Sequence, residues 1–326
     1  MGEIVVSVAI SCYNFEAYIE ECITSILSQQ TQFNFEIIVV DDASTDRSSS
    51  IIQKYADNNP IITFIKQSKN QGSDSTKQLA CKLAKGKYIA FLDGDDVALP
   101  GKLQSQYDYL EANPDCSCCY HDVNLIDKNS ESLGTTFFSR FYNRDYIPEK
   151  ATMEHLVQYG TFLAASSQMF VKDAFKINLL PANIKYIQDF YYHIHTSSKG
   201  TIGRINKVLG AYRQHSESYS GLNAKSNQRR LQCLHDILAA CDYALTLGCD
   251  ETIVSKGKMH YHYAAALYFA KKGEHELFSK LIQQSSDGKY FFDLKHKSIY
   301  ELAQQNITLA LEYIHSNIFS NSKQEH

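Results

Sequence analysis

Tryptophan is absent, and there are only five prolines among 326 residues. No apolar run comes near the roughly 20 residues that a membrane-spanning helix needs. The N-terminus also lacks the basic-then-apolar segment of a secretory signal. These absences make a soluble or peripheral protein the expectation, cytoplasmic or held at the inner face of the membrane. Long basic runs are missing too. Acidic residues slightly outnumber basic ones, 36 to 32, for a net charge of −4, which argues against nucleic acid as the main partner. Nine cysteines, an odd number, are scattered along the chain. The cluster Cys116-Ser117-Cys118-Cys119 has no second Cys or His pair at zinc spacing, so it reads as strand core. Free thiols fit a reducing compartment. The length suffices for one sizeable core plus a smaller appended domain.

What is present is a rhythm of apolar runs and amphipathic stretches. Ile4 to Ile10 reads as a strand, followed by Ser11-Cys12-Tyr13-Asn14. Ile19, Cys22, Ile23, Ile26 and Leu27 then recur at helical spacing and form one buried stripe. Glu36 to Val40 is a second strand, ending in Asp41-Asp42-Ala43-Ser44-Thr45-Asp46. Thr45 or Asp46 is placed to cap a helix whose apolar face is Ile51, Ile52, Tyr55 and Ala56. Ile61 to Ile65 is a third strand, Leu79, Ala80, Leu83 and Ala84 mark a third helix, and Tyr88 to Leu92 is a fourth strand. Strands alternating with helices predict a mostly parallel sheet covered on both faces. Ligands bind such sheets beyond the carboxyl ends of the strands, where Asn14, Asp41, Asp42, Asp93 and Asp95 all fall.

The turn Asp93-Gly94-Asp95-Asp96 concentrates charge at one of those ends. Clustered carboxylates repel one another unless a cation or hydrogen-bond donors offset the repulsion. Hard oxygen ligands suit Mg²⁺ or Mn²⁺. A plain solvated turn is the competing reading, because Asp and Gly populate turns for their own reasons.

Taken together, Ser7-Val8-Ala9-Ile10-Ser11-Cys12-Tyr13-Asn14, Val39-Val40-Asp41-Asp42-Ala43-Ser44-Thr45-Asp46, Asn70-Gln71-Gly72 and Gly86 through Asp96 resemble the family 2 inverting glycosyltransferases of the GT-A fold. The match in order and spacing runs over residues 4 to 112, and a weaker one continues to Tyr212-Arg213-Gln214-His215, with Ser218 and Ser220 beyond. The resemblance implies an α/β fold: a GT-A, Rossmann-like, mostly parallel sheet flanked by helices. It also implies a nucleoside-diphosphate sugar as donor, UDP-linked by default, and a saccharide or lipid-linked acceptor. A bacterial surface polysaccharide or glycolipid is the implied setting.

Site roles follow by the same resemblance. Asp42 would accept from the nucleobase, with Asp41 and Asn14 beside the same pocket and Asp93 at the ribose. Asp95 would bind the Mn²⁺ or Mg²⁺ that bridges the diphosphate, and Asp96 is at least as well explained as a cap. His215 would complete the metal site, and Arg213 would neutralise phosphate, with Ser216 to Gly221 a loop able to close over the donor. Where relatives carry Arg-Asn, this chain has Lys77-Gln78; Lys77 supplies charge without a planar fork, so a donor contact and a solvated helix face both stay open. The general base is implied at Gln188-Asp189, where Asp189 either deprotonates the acceptor hydroxyl or caps a helix. His193, one turn on, either orients Asp189 or is a surface histidine. His121-Asp122 and Ser166-Ser167-Gln168-Met169 resemble acceptor-side positions.

Residues 1–112 read as the nucleotide half and 113–222 as the acceptor half of this domain. From 223 to 320 the pattern is helical, and 321–326 reads as a disordered tail. Leu234, Ile237, Leu238, Cys241 and Leu245 form one stripe, and Tyr263, Ala264, Leu267 and Ala270 a second. Simple stabilisation, homodimerisation, docking of a partner enzyme and contact with a lipid-linked acceptor are the readings for this all-α extension. Two other functions compete with transfer: a nucleotidyltransferase that makes the sugar nucleotide, and a non-catalytic sugar-nucleotide-binding protein. The first lacks its Gly-rich basic loop after strand one, and the second would be expected to have lost Asp95 or Asp189.

Overall fold

The computed structural model describes residues 2–142, 146–160, 162–215 and 226–319. The Ser216 to Gly221 loop, the serines at 218 and 220, and the tail from Asn321 lie outside the described residues. Among the described residues no helix is long and apolar enough to cross a membrane.

Strands and helices alternate as the rhythm predicts: β1 (Ile4–Cys12), α1 (Ile19–Leu27), β2 (Asn34–Asp41), α2 (Ser48–Asn58), β3 (Ile62–Lys66), α3 (Ser73–Leu83) and β4 (Tyr88–Asp93). The chain continues through β5 (Val97–Ala98), α4 (Lys102–Ala112), β6 (Cys116–Ile126), β7 (Ser132–Thr136), α5 (Phe137–Phe141), β8 (Lys150–Ala151), α6 (Met153–Tyr159), β9 (Met169–Val171), α7 (Gln188–Ser197) and β10 (Thr201–Arg213). The sheet runs β3-β2-β1-β4-β9-β6-β10-β5, with β7 on β6 and β8 on β10. β1 pairs in parallel with β2 and β4, and β6 with β10, while the short β9 lies antiparallel to both β4 and β6. Strands covered on both faces need near-continuous apolar sequence, and Val6, Val8, Ile10, Ile37, Val39, Tyr88, Ala90 and Leu92 are all buried in one core with Ile19, Cys22, Ile23 and Ile26 of α1.

Register places the chemistry. Cys12 pairs with Asp41 and Ser11 with Asp93, so the carboxyl ends of β1, β2 and β4 finish level. Strand order reverses its direction of growth at β1, between β2 and β4, the kind of switch point at which open α/β sheets bind ligands. Gly94 makes the close turn there: its N–H donates to Ser11 O at 2.8 Å, and a Cβ would lie 2.8 Å from that oxygen. All nine cysteines are free and buried, including the three of β6.

The residues group into two compact units: Met1–Met153, Thr161–Ala182 and Gln188–Lys225 form one, and Glu154–Gly160, Asn183–Ile187 and the chain from Ser226 form the other. The second is helical, with helices at Asn227–Thr246, Glu251–Lys271, His275–Gln284, Leu294–Gln305 and Ile307–Ile314. Leu234, Tyr263, Phe269, Phe278, Ile282, Ile299 and Ile314 build its core. Two stripe assignments need correcting: Leu245 and Ala264 are exposed, whereas Asp236 is buried. The burial of Asp236 has its cause upstream. The Asp236 carboxylate accepts from the backbone N–H groups of Lys185, Tyr186 and Ile187 at 3.2, 2.6 and 3.0 Å, a long-range pairing that periodicity does not reveal.

Candidate active site at the carboxyl edge of the sheet

The turn after β2 is built by its own carboxylates. Asp41 is completely buried, and its oxygens accept from Ser44 N at 3.3 Å, from Ser44 Oγ and from Ser49 Oγ. The expectation that Asp41 contacts substrate is thereby corrected: the donors of its own turn and of α2 saturate it. Asp42 turns the other way. Its two oxygens accept the Gln71 and Gly72 N–H groups, both at 2.8 Å. Gly72 has a φ of +89°, a conformation glycine adopts at no steric cost, and it leads into α3. Asn14, also left-handed with φ 56°, is exposed and accepts Thr45 N–H at 2.8 Å, while its own N–H donates to Ser44 Oγ at 2.8 Å. The loops after β1 and β2 are therefore clamped together. The cap of α2 is Arg47 rather than Thr45 or Asp46; Asp46 contributes by accepting Ser48 N–H at 2.9 Å.

The turn after β4 is different. Asp93 accepts from Ser11 Oγ at 3.0 Å, and burial raises its pKa; Lys77 pulls it down in part, and the charges of Asp95 and Asp189 add to the rise. Asp95 meets His215, with Oδ2 3.0 Å from Nε2, and the His215 ring rests near those of Tyr18 and Phe15, at 5.4 and 6.4 Å between centroids. Asp96 is buried, accepts Arg213 N–H at 2.9 Å and Ser166 Oγ–H at 2.5 Å, and is raised well above the usual carboxylate range by burial and then by Asp95 and Asp93. Asp96 thus ties the end of β10 to the turn.

Arg213 also needs correcting. Its side chain is 1% exposed, and Nε donates to Asp95 O at 2.7 Å, Nη1 to Asp127 O at 3.1 Å and Ser130 Oγ at 2.9 Å, and Nη2 to Glu21 Oε2 at 2.7 Å. The guanidinium stacks 4.6 Å over Tyr18. It fastens the acidic turn, β10 and α1 together and is not aimed at phosphate.

Lys102 was not singled out from the sequence. It is 1% exposed, and its Nζ donates to Ser166 O at 2.5 Å and lies 3.5 Å from Phe91 O. Burial pushes its pKa down to about 8, against the opposing pull of Asp96. A usable signal existed: Leu103, Gln106 and Leu110 share one buried face of α4 with Lys102, so the stripe extended back one turn places a lysine inside.

On the acceptor side, Asp189 sits in the first turn of α7, and Lys77 of α3 donates to its Oδ1 at 3.1 Å. The Lys77 side chain is 12% exposed and that of Asp189 is 47% exposed. Burial acts to raise the pKa of Asp189, but the charge and hydrogen bond of Lys77, joined by His193 where acid protonates it, more than offset it and leave the carboxyl below its ordinary range. The alternative of a solvated helix face does not hold for Lys77, nor that of a surface position for His193. His193 is buried, its Nε2 lies 2.9 Å from Gln168 Oε1, and burial pushes its pKa down to about 4, so it is neutral. Asp122 is buried and accepts Val123 N–H and Phe138 N–H at 2.9 and 3.1 Å. His121, with Nδ1 donating to Asp122 O at 2.8 Å, is pushed down to about 3 by burial.

The family model described as glycosyl transferase family 2 matches residues 7–176. The chain belongs to this family. Along nearly its whole length it is 29% identical to an uncharacterized glycosyltransferase of Rickettsia prowazekii, over 98% of this chain and 97% of that protein. An uncharacterized glycosyltransferase of Methanocaldococcus jannaschii is 34% identical over 49% of this chain and 52% of its own length. The chain spans about half the length of the first curated relatives it matches, 52% and 57%. Among solved structures, residues 1–349 of S. aureus TarS in complex with UDP-GlcNAc superpose with a TM-score of 0.69 at 16% identity, covering 96% of this chain and 92% of that one. A Pyrobaculum calidifontis mannosyltransferase in complex with GDP-Man and Mn²⁺ gives 0.60 at 14% identity, covering 96% and 87%. At such identities the likeness shows the fold, which is GT-A.

In this family 2 chain the residues that suit a divalent cation are Asp95 and His215. No cluster of three or more His, Cys, Asp or Glu side chains able to hold a metal occurs among the described residues. A carboxylate and an imidazole together fit Mn²⁺ better than Mg²⁺, and such cations fill remaining positions with water and substrate phosphate oxygens. Asp95 and His215 could therefore hold a divalent cation between them.

Proposed function

We propose that this chain transfers a sugar from a nucleoside-diphosphate sugar, UDP-linked by default, to a hydroxyl of a saccharide or lipid-linked saccharide. In this reading transfer depends on a divalent cation and inverts the anomeric carbon. One observation carries it: a cation-type pair, Asp95–His215, and a separate half-exposed carboxylate held ionised, Asp189, lie close enough that Asp93 feels both charges. Asp42 and Asn14 border the nucleobase side and Asp93 the ribose side. When bound at Asp95 and His215, the cation supplies charge stabilisation for the departing nucleoside diphosphate.

The chain's own residues do the rest. Asp189 takes the proton of the acceptor hydroxyl, the oxygen bonds to the anomeric carbon, and the bond from that carbon to the diphosphate breaks. A single displacement inverts configuration, whereas retention through two displacements would need an enzyme nucleophile. Asp122, the other acidic candidate on this side, is buried with its carboxylate turned to backbone N–H groups. The family resemblance supports surface polysaccharide or glycolipid assembly as the setting.

The test has two parts. Release of nucleoside diphosphate from a panel of sugar nucleotides, with and without Mn²⁺, identifies the donor. Asp189→Asn should then reduce turnover by roughly 10²–10⁴-fold with donor affinity unchanged, and an α-linked donor should give a β-linked product by NMR anomeric coupling. An α-product would refute inversion and remove Asp189 from its role.

A further inference from the structure

We propose that Lys77 is a positioning residue for the base, orienting the Asp189 carboxylate for proton abstraction rather than binding the donor diphosphate. The inference rests on the reading of Asp189 as base. Three contacts join α3, in the nucleotide half, to the acceptor side. Tyr192 Oη donates to Asp74 Oδ1 at 2.6 Å, Lys77 Nζ to Asp189 Oδ1 at 3.1 Å, and Asn178 N to Gln78 Oε1 at 2.8 Å. Tyr192 is three residues after Asp189 on α7 and stacks on Phe175 with centroids 4.8 Å apart. The rotation of α7 about its axis is therefore fixed from α3.

Within that frame the lysine divides the carboxylate. Its Nζ occupies Oδ1, and Oδ2 has no hydrogen bond among the described residues, on a side chain that is 47% exposed. Oδ2 is the oxygen left for an acceptor hydroxyl. Burial works against the charge on Lys77, but Asp189, Asp93 and Asp74 more than offset it, so the ammonium keeps its proton throughout. The other groups facing Asp189 are the Asp93 carboxylate, which repels it, and the neutral His193 on its own helix. Lys77 is thus the charge that keeps Asp189 ready to accept a proton, and the proton it accepts comes from the acceptor, not from the lysine.

The experiment compares wild type with Lys77→Met, Lys77→Arg and Asp189→Asn, reading kcat against pH and the affinity for UDP or GDP, whichever the wild type binds. Lys77→Met should lower kcat by about 10- to 100-fold, the range expected when a catalytic group is misplaced by about 1 Å. Its acid limb should move to higher pH, because a carboxylate that loses a nearby cation binds its proton more tightly. Nucleotide affinity should stay unchanged, which also shows that the variant is folded. Lys77→Arg should recover most of kcat and the wild-type acid limb. Weakened nucleotide binding with an unmoved acid limb would place Lys77 on the diphosphate and overturn the inference. Full activity in Asp189→Asn would remove the base itself, whereas an inactive Asp189→Asn beside a Lys77→Met of wild-type pH profile would defeat only the role given to Lys77.

Discussion

Two turns of this chain carry adjacent aspartates at the ends of β2 and β4, the parallel strands on either side of β1, and they put them to opposite uses. After β2, five donor groups converge on Asp41 and Asp42: the hydroxyls of Ser44 and Ser49 and the N–H groups of Ser44, Gln71 and Gly72. Those carboxylates are the scaffold of the loop. After β4, burial and then the charge of Asp95 raise the pKa of both Asp93 and Asp96, and Asp95 leans on a single imidazole. The same residue type is satisfied in one turn and left short of positive charge in the other. On the proposed function, a cation held by Asp95 and His215 would make up that deficit.

Breaking the second turn should have the largest effect. Asp95→Ala should lower transfer by at least about 10³-fold, the order expected when the charge stabilisation of a bound cation is removed, with the far-UV circular dichroism unchanged. Next comes the first turn, where the loss should be in stability. Asp41→Ala strands the buried Ser44 hydroxyl and the partly buried Ser49 hydroxyl and should cost about 2–4 kcal/mol in urea denaturation. If that variant instead keeps wild-type stability and loses only activity, the contrast between the turns fails. Asp42→Ala should cost less, about 1–2 kcal/mol, because the N–H groups it releases border the partly exposed Asn70 to Gly72 segment and gain water; nucleotide affinity should fall with it, measured by calorimetry.

A pH-dependent effect at Lys102 comes last. Burial holds the folded pKa of Lys102 at about 8, below the ordinary lysine value of about 10.4. The unfolded chain therefore binds the extra proton between those two pH values. Wild-type stability should gain relative to Lys102→Met as pH rises from about 8 to about 10.4. Comparing the two proteins removes the opposing contribution of the buried cysteines, which both share. A difference that is flat over that window would mean that Lys102 is not held as a buried cation.

How far the sequence reveals this arrangement follows from the range of the interactions. β1, β2 and β4 are legible because burial on both faces demands apolar residues at nearly every position, and α1 because its stripe is local. The position of Asp95 at a strand end is legible for the same reason. What distinguishes Asp41 from Asp95 is partly local, since Ser44 and Ser49 follow within eight residues, and partly remote. Arg213 resembled a phosphate ligand, yet its guanidinium is held by Glu21, 192 residues away. Lys77 and Asp189 are 112 residues apart, and no periodicity links them. Charged residues on helices read as solvated faces unless their partners are known, which is why Lys102 and the pairing of Lys77 escaped notice.

On the proposed function, the turn after β4 takes a divalent cation and the turn after β2 does not. The most direct test is Mn²⁺ binding followed by electron paramagnetic resonance in the presence of the nucleoside diphosphate that the wild type binds, at nucleotide concentrations that saturate each variant. Asp95→Ala should abolish the protein-bound signal, His215→Ala should weaken it, and Asp42→Ala should retain it. A bound signal of wild-type strength in Asp95→Ala, or its loss in Asp42→Ala with nucleotide still bound, would contradict the account.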